Sequence, residues 1–158
     1  MNTQKRRSWY GDWAVWLWIG RRYLPWLVTL NLAWEAAQLP LYKLWTEGSP
    51  GFIAFSVVHC TLGDAIIGTV ALVLALVATR APALAHWRWV RIAAATVIAG
   101  VTYTVISEWT NLALDNWTYS ALMPVLPVLT VEIGLSPLAQ WLLLPPLALW
   151  LATRPGGP

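Results

Sequence analysis

Charge is scarce in this chain. Only 11% of its residues are charged, against about 25% in an average soluble domain. A soluble fold of 158 residues would lack the polar surface to cover its core, and that class is excluded. Cysteine is scarcer still. Cys60 stands alone inside an apolar run, so no intrachain disulfide and no paired-cysteine metal knuckle is available. The chain also has no glycine-rich phosphate loop, no HExxH and no GxSxG, which removes the familiar nucleotide, zinc-protease and serine-hydrolase signatures. The net charge of +3 follows from where the basic residues fall. It implies no nucleic-acid partner.

What is present is apolar and aromatic. Hydrophobic residues make up 58% of the chain, so the expected solvent is the lipid bilayer. The 13 tryptophans agree, because Trp gathers at membrane–water interfaces. The early stretch "WAVWLWIG" is short, follows Asp12 and precedes Arg21 and Arg22 rather than a small-residue cleavage site. It is expected to insert uncut.

A spanning helix needs about 20 mostly apolar residues. Four such runs occur, over about 24–44, 52–78, 92–114 and 124–152. The expected fold class is all-α integral membrane: a four-transmembrane-helix bundle forming one membrane domain over 1–158. Trp9, Trp13 and Trp16 recur at i, i+4 and i+7, one face of a helix. They predict a short N-terminal amphipathic helix over 8–20 lying on the membrane surface. The fourth run carries Pro127, Pro137, Pro145 and Pro146 and is expected as one long kinked helix. The alternative is a re-entrant piece, Met123 to Gly134, followed by a helix from Ser136. Lys5, Arg6, Arg7, Arg21, Arg22, Arg80, Arg88, Arg91 and Arg154 fall on one side of these spans, and Lys43 alone on the other. The positive-inside rule then places both termini in the cytoplasm, with the chain multi-pass in the cytoplasmic membrane.

Polar residues inside the spans carry the functional reading, because an ionisable group in a bilayer costs about 2.5–3.5 kcal/mol or more. Asn31, Glu35, Gln38 and Tyr42 form one helical stripe, and Thr104, Glu108, Asn111 and Asp115 repeat its spacing. His59, Asp64 and Glu132 add titratable groups on the second and fourth spans. Counted along straight helices, Glu35, His59, Glu108 and Glu132 sit at one depth, about 10–12 Å below the outer helix ends. Asp64 lies deeper and is turned away from His59. A faint repeat accompanies this: Glu35-x-x-Gln38 precedes His59 by the spacing at which Glu108-x-x-Asn111 precedes Glu132.

The expectation is a polar chamber in the outer half of the bundle. Glu35, His59, Asp64, Glu108 and Glu132 are its candidate catalytic groups. Asn31, Trp34, Gln38, Trp109, Asn111 and Trp141 are its candidate substrate-binding groups. His59, Glu35 and Glu108 could hold one divalent metal. Without metal, crowded carboxyls supply a general acid, suited to proton-initiated chemistry on a lipid-soluble alkene between tryptophan faces. The function expected is an enzyme acting on a hydrophobic lipid or isoprenoid substrate, cyclase- or isomerase-like or metal-assisted. The alternatives are an accessory or assembly subunit of a larger membrane complex or homo-oligomer, and a proton- or metal-handling protein.

One stretch has a parallel elsewhere. "NLAWE", Asn31 to Glu35, resembles the Asn-x-x-Trp-Glu stretch of the integral-membrane terpene cyclases of meroterpenoid pathways. In those enzymes the glutamate acts as an acid, and the resemblance implies that role for Glu35. It covers five residues; those enzymes are longer, with more spans, and their second acidic motif is not matched here.

Overall fold

The computed structural model describes residues 9–128 and 131–154. Lys5, Arg6 and Arg7 lie outside the described residues. The fold is mostly helical. The first helix starts at Asp12, whose Oδ1 accepts from the Ala14 N–H at 3.1 Å and so satisfies one of the free donors of a helix start. Helix α1 (Trp13–Trp18) runs through a π-helical turn (Ile19–Tyr23) directly into α2 (Leu24–Gln38). Pro25 explains the π turn. It has no N–H to return to the preceding turn, and the ladder shifts so that the Leu24 N–H bonds the Ile19 carbonyl.

A separate surface helix over 8–20 is therefore not what forms. Val15, Ile19, Tyr23 and Leu27 recur every four residues and are buried in the core. Trp9 is buried as well, whereas Trp13 and Trp16 are exposed. The three tryptophans do not share one face.

Pro40 ends α2 in a 3-10 turn (Leu39–Leu41), as expected of the residue before a proline. After a short α3 (Leu44–Glu47), Ser49 caps α4 (Pro50–Ala78) with proline in its first turn. At 29 residues α4 is about 43 Å long. Helix α5 (Trp89–Ala113) follows, and Asp115 adopts a left-handed φ of 54° just beyond its end.

The largest departure from expectation is at residues 124–134. In place of the first part of a fourth membrane helix, β1 (Val125–Val128) pairs antiparallel with β2 (Val131–Gly134). Pro124 and Pro127 oppose a helix, and the β-branched Val125, Val128 and Val131 fit a pleated strand. Both strands of a two-stranded ribbon are edges, so Pro127 can turn its missing donor outward. The last helix, α6 (Leu135–Thr153), begins only after this hairpin and runs through Pro145 and Pro146.

Helices α2, α4, α5 and α6 pack in a ring, each against two neighbours. Three of them (α4, α5 and α6) are long and apolar enough to cross a membrane, which marks a multi-pass membrane protein. Along α4, Val58, Leu62, Ile66, Val70 and Leu74 recur every four residues and are all exposed. An apolar stripe of that length faces lipid rather than water.

The core has two halves. At the end of the bundle carrying Arg21, Arg22, Arg80, Arg88, Arg91 and Arg154, buried Leu27, Leu72, Leu76, Ile92 and Leu149 pack with Tyr23 and Trp87. In the other half the buried residues include Asn31, Gln38, Thr104, Glu108 and Gln140. Helix α5 reaches α6 through Gly100, where a Cβ would stand 2.3 Å from Trp141 Cε3.

That close approach gives a first prediction. Gly100→Ala should lower stability by about 1–3 kcal/mol through overpacking. Gly63→Ala, with nothing within 4 Å of its Cβ position, should be neutral or stabilising by up to about 1 kcal/mol. Thermal unfolding of the two variants in detergent checks the contrast.

Candidate functional site

The polar half of the bundle is organised by one amide. Gln140 is buried in α6, and its Nε2 lies 2.8 Å from Asn31 Oδ1, 2.8 Å from Asp64 Oδ2 and 3.2 Å from Glu35 Oε1. A carboxamide nitrogen carries two hydrogens, so three oxygens from α2 and α4 share them. The network continues along α2. Gln38 Nε2 donates to Glu35 Oε1 at 2.8 Å, and Ser136 Oγ donates to Gln38 Oε1 at 2.8 Å. Asn31 turns its own Nδ2 to the Leu27 carbonyl, 2.8 Å away. The carboxyl groups of Glu35 and Asp64 are thus brought together at one amide nitrogen.

A second cluster stands on α5. Glu108 is buried and accepts from the Tyr119 hydroxyl, which in turn accepts from the Gly134 N–H at 2.9 Å. Tyr119 thus ties the hairpin to α5. Burial, and then the Glu108 carboxyl beside it, hold the Tyr119 hydroxyl above its ordinary pKa, which keeps it protonated as the donor. One turn on, Asn111 Nδ2 donates to the Ser107 carbonyl and its Oδ1 accepts from Asn116, each at 2.8 Å. Two connecting segments close over this region. Tyr42 and Tyr119 form an antiparallel bridge, the Lys43 N–H bonds the Thr118 carbonyl at 3.0 Å, and the Ser120 N–H bonds the Leu41 carbonyl at 2.9 Å.

The two clusters face one cavity of about 910 Å³, within the roughly 300–1,000 Å³ of small-molecule sites. Glu35, Asp64 and Gln140 line one wall, and Glu108 and Thr104 the other.

The expected site residues divide accordingly. Glu35, Gln38, Asp64, Glu108, Asn111 and Trp141 all line the cavity, and Asn31 joins it through Gln140. His59 also lines it but is exposed, stacked on Phe55 with ring centroids 5.5 Å apart. Glu132 falls on β2 and is exposed, opposite Pro127 in the ribbon, and does not line the cavity. Its expected depth assumed a helix from Pro124, and the repeat linking His59 to Glu132 ends in a helix in one copy and a strand in the other. Trp109 is about half exposed, and neither Trp34 nor Trp109 lines the cavity. Among the described residues, no three His, Cys, Asp or Glu side chains converge closely enough to hold a metal ion. The expected ligand set of His59, Glu35 and Glu108 is therefore not assembled.

Sequence reasoning missed Gln140 as the hub, Ser136 and Tyr119. Ser136 and Gln140 sit at i and i+4 of one helix, a usable signal. Tyr119 lies in a connecting segment with no periodicity to expose it.

No family model, curated protein or solved structure matches the chain.

Two outcomes follow from the hydrogen bonds. Gln140→Leu leaves acceptors on Asn31, Glu35 and Asp64 without their shared donor and should lower stability by about 1–3 kcal/mol, read by thermal unfolding in detergent. Tyr119→Phe should accelerate hydrogen exchange at the Gly134 amide while leaving amides of α4 near Leu72 protected.

Proposed function

We propose that this protein is a four-span enzyme of the cytoplasmic membrane that performs acid–base chemistry on a hydrophobic, isoprenoid-like substrate. In this reading the continuous helix from Trp13 to Gln38 supplies the fourth span. The basic end of the bundle faces the cytoplasm, as the positive-inside rule favours, and the cavity opens toward the other side.

The observation that carries the proposal is the Glu35–Asp64 carboxyl pair set in the wall of the cavity. A pair that shares a proton beside apolar walls is a general acid. The reaction class is isomerisation or cyclisation. The pair gives its proton to one carbon of an alkene, and the π electrons of that bond form the new C–H bond. In cyclisation another alkene of the same molecule attacks the cation left on the neighbouring carbon, its π electrons forming a C–C bond and leaving the cation on its own far carbon; in isomerisation the first cation goes on unchanged. Loss of a proton from an adjacent carbon then restores a double bond. Glu108, which accepts from Tyr119 on the facing wall, is the base for that proton; it then releases the proton to water at the open end, and that water returns one to the pair, so both walls are restored. Gln140 and Asn31 position the acid. The face of Trp141, which lines the cavity, stabilises the transient cation.

The test is turnover of linear polyprenyl alkenes by the protein in nanodiscs made up in D2O. The expected product carries one solvent deuteron on carbon. Glu35→Gln and Asp64→Asn should each lower turnover by about 10²–10⁴-fold while the protein remains folded. Full activity in both variants would overturn the acid assignment. A folded wild-type protein that turns over no member of the panel would favour the accessory-subunit reading.

A further inference from the structure

The cavity has a rim and a flank of different chemistry. At the end of the bundle it is bordered by Lys43, Glu47, Asp115 and Asn116, all exposed. On its side it is bordered by Phe52 and Phe55 of α4 and Tyr103 of α5, each about half exposed or more. Helix α4 explains the open flank. None of its residues from Pro50 to Cys60 is buried, and the first that is buried is Thr61. The first three turns of α4 therefore bury no side chain completely, and the cavity is bordered by an apolar flank as well as by a polar rim. Such a space fits an amphiphile, with its polar head at the rim and its chain along the aromatic flank.

The lining also has a sign. Five described lining residues are Asp or Glu, and one, Lys43, is a permanent cation; His59 is the one imidazole. A carboxyl offers either a neutral group or a negative charge, and never a positive one. Whatever the protonation of Glu35, Asp64 and Glu108, an anionic head placed among them gains no compensating charge and loses its water. At the rim, Glu47 and Asp115 outnumber Lys43. Hydroxyl, carbonyl and amine heads meet no such barrier, since carboxyls, amides and Tyr42 can donate to them or accept from them.

We infer that the cavity selects single-chain amphiphiles with a neutral head and rejects those with phosphate or carboxylate heads, the acidic rim of Glu47 and Asp115 setting the discrimination. The inference deepens the proposed function by naming the head-group class of its substrate. It concerns binding alone and so can stand or fall separately from catalysis.

The experiment compares geranylgeraniol with geranylgeranyl phosphate, which share a chain and differ in the head. Each is titrated into the full-length protein in a non-ionic detergent, and ligand-dependent rise of the unfolding midpoint is converted to a dissociation constant. The alcohol is expected to bind at least about tenfold more tightly than the phosphate, a difference of about 1.4 kcal/mol. Glu47→Gln with Asp115→Asn should narrow that gap by strengthening phosphate binding, with alcohol binding unchanged. Asn suits the left-handed φ at position 115, so the double variant should fold normally. Gly63→Leu, which projects into open space in the cavity wall, should abolish alcohol binding without lowering the unliganded midpoint. Equal or tighter binding of the phosphate, or binding of neither ligand, would overturn the inference. Selective alcohol binding without turnover would leave it intact and count against the acid mechanism. Turnover of a phosphate-headed substrate would do the reverse.

Discussion

The shared Gln140 amide is the interaction on which the arrangement of this bundle depends. Its nitrogen is buried, and the oxygens around it belong to α2 and α4. In a low-dielectric interior an unpaired amide or carboxyl is costly. Sliding α2 or α4 along α6 by one turn would strand several polar groups at once. Apolar helix faces alone do not fix register so sharply, because lipid solvates them as well as a neighbouring helix does. The next residue, Trp141, performs the complementary task. Its ring lies over Gly100 and sets how closely α5 approaches. Two adjacent side chains of α6 thus hold the other three helices, one by hydrogen bonds and one by shape. Glu108 faces Glu35 across the cavity because both constraints are met together.

The two halves of the core divide stability from access. At the basic end, Tyr23, Leu27, Leu72, Leu76 and Ile92 are almost fully buried, and packing of that kind resists local opening. At the other end the first three turns of α4 bury no residue completely, and short connecting segments joined at Tyr42 and Tyr119 lie over the cavity. Tyr119 gives that cover a polar anchor, reaching from the hairpin side to Glu108.

Much of this was legible in the sequence, and the failures have physical causes. The stripe of Asn31, Glu35 and Gln38 could be read because polar residues at helical spacing stand out in an apolar segment. The helix–helix pairing of Glu35 with Asp64 could not. Helix α4 is apolar all round, so its sequence does not say which face turns inward, and counting depth favoured His59. Asp64 and His59 are five residues apart, about 140° around the helix; the angle was right, and Asp64 took the place in the network while His59 was left exposed on Phe55. Glu132 was placed by continuing a helix through Pro124 and Pro127, where a hairpin forms instead. Tyr119 acts from a connecting segment whose partners, Glu108 and Gly134, are brought to it only by the tertiary fold.

Three of the five carboxyl groups lining the cavity, Glu35, Asp64 and Glu108, lie within the helix bundle, and holding helices together does not by itself account for them. Hydrogen bonds between the helices could be made by amides and hydroxyls, as Asn31, Gln38, Ser136 and Gln140 make them here, and amides carry no charge to desolvate. A buried ionisable group adds a desolvation cost that an amide avoids. Yet the Glu35 and Asp64 carboxyls meet at one amide nitrogen, and Glu108 lines the same cavity with a tyrosine hydroxyl directed at it. In the proposed mechanism one wall holds the transferable proton and the other its acceptor, separated by a cavity of about 910 Å³. The apolar half of the core supplies the packing that makes this arrangement tolerable, and a proton donor opposed to a proton acceptor is the feature that an amide-only network would lack.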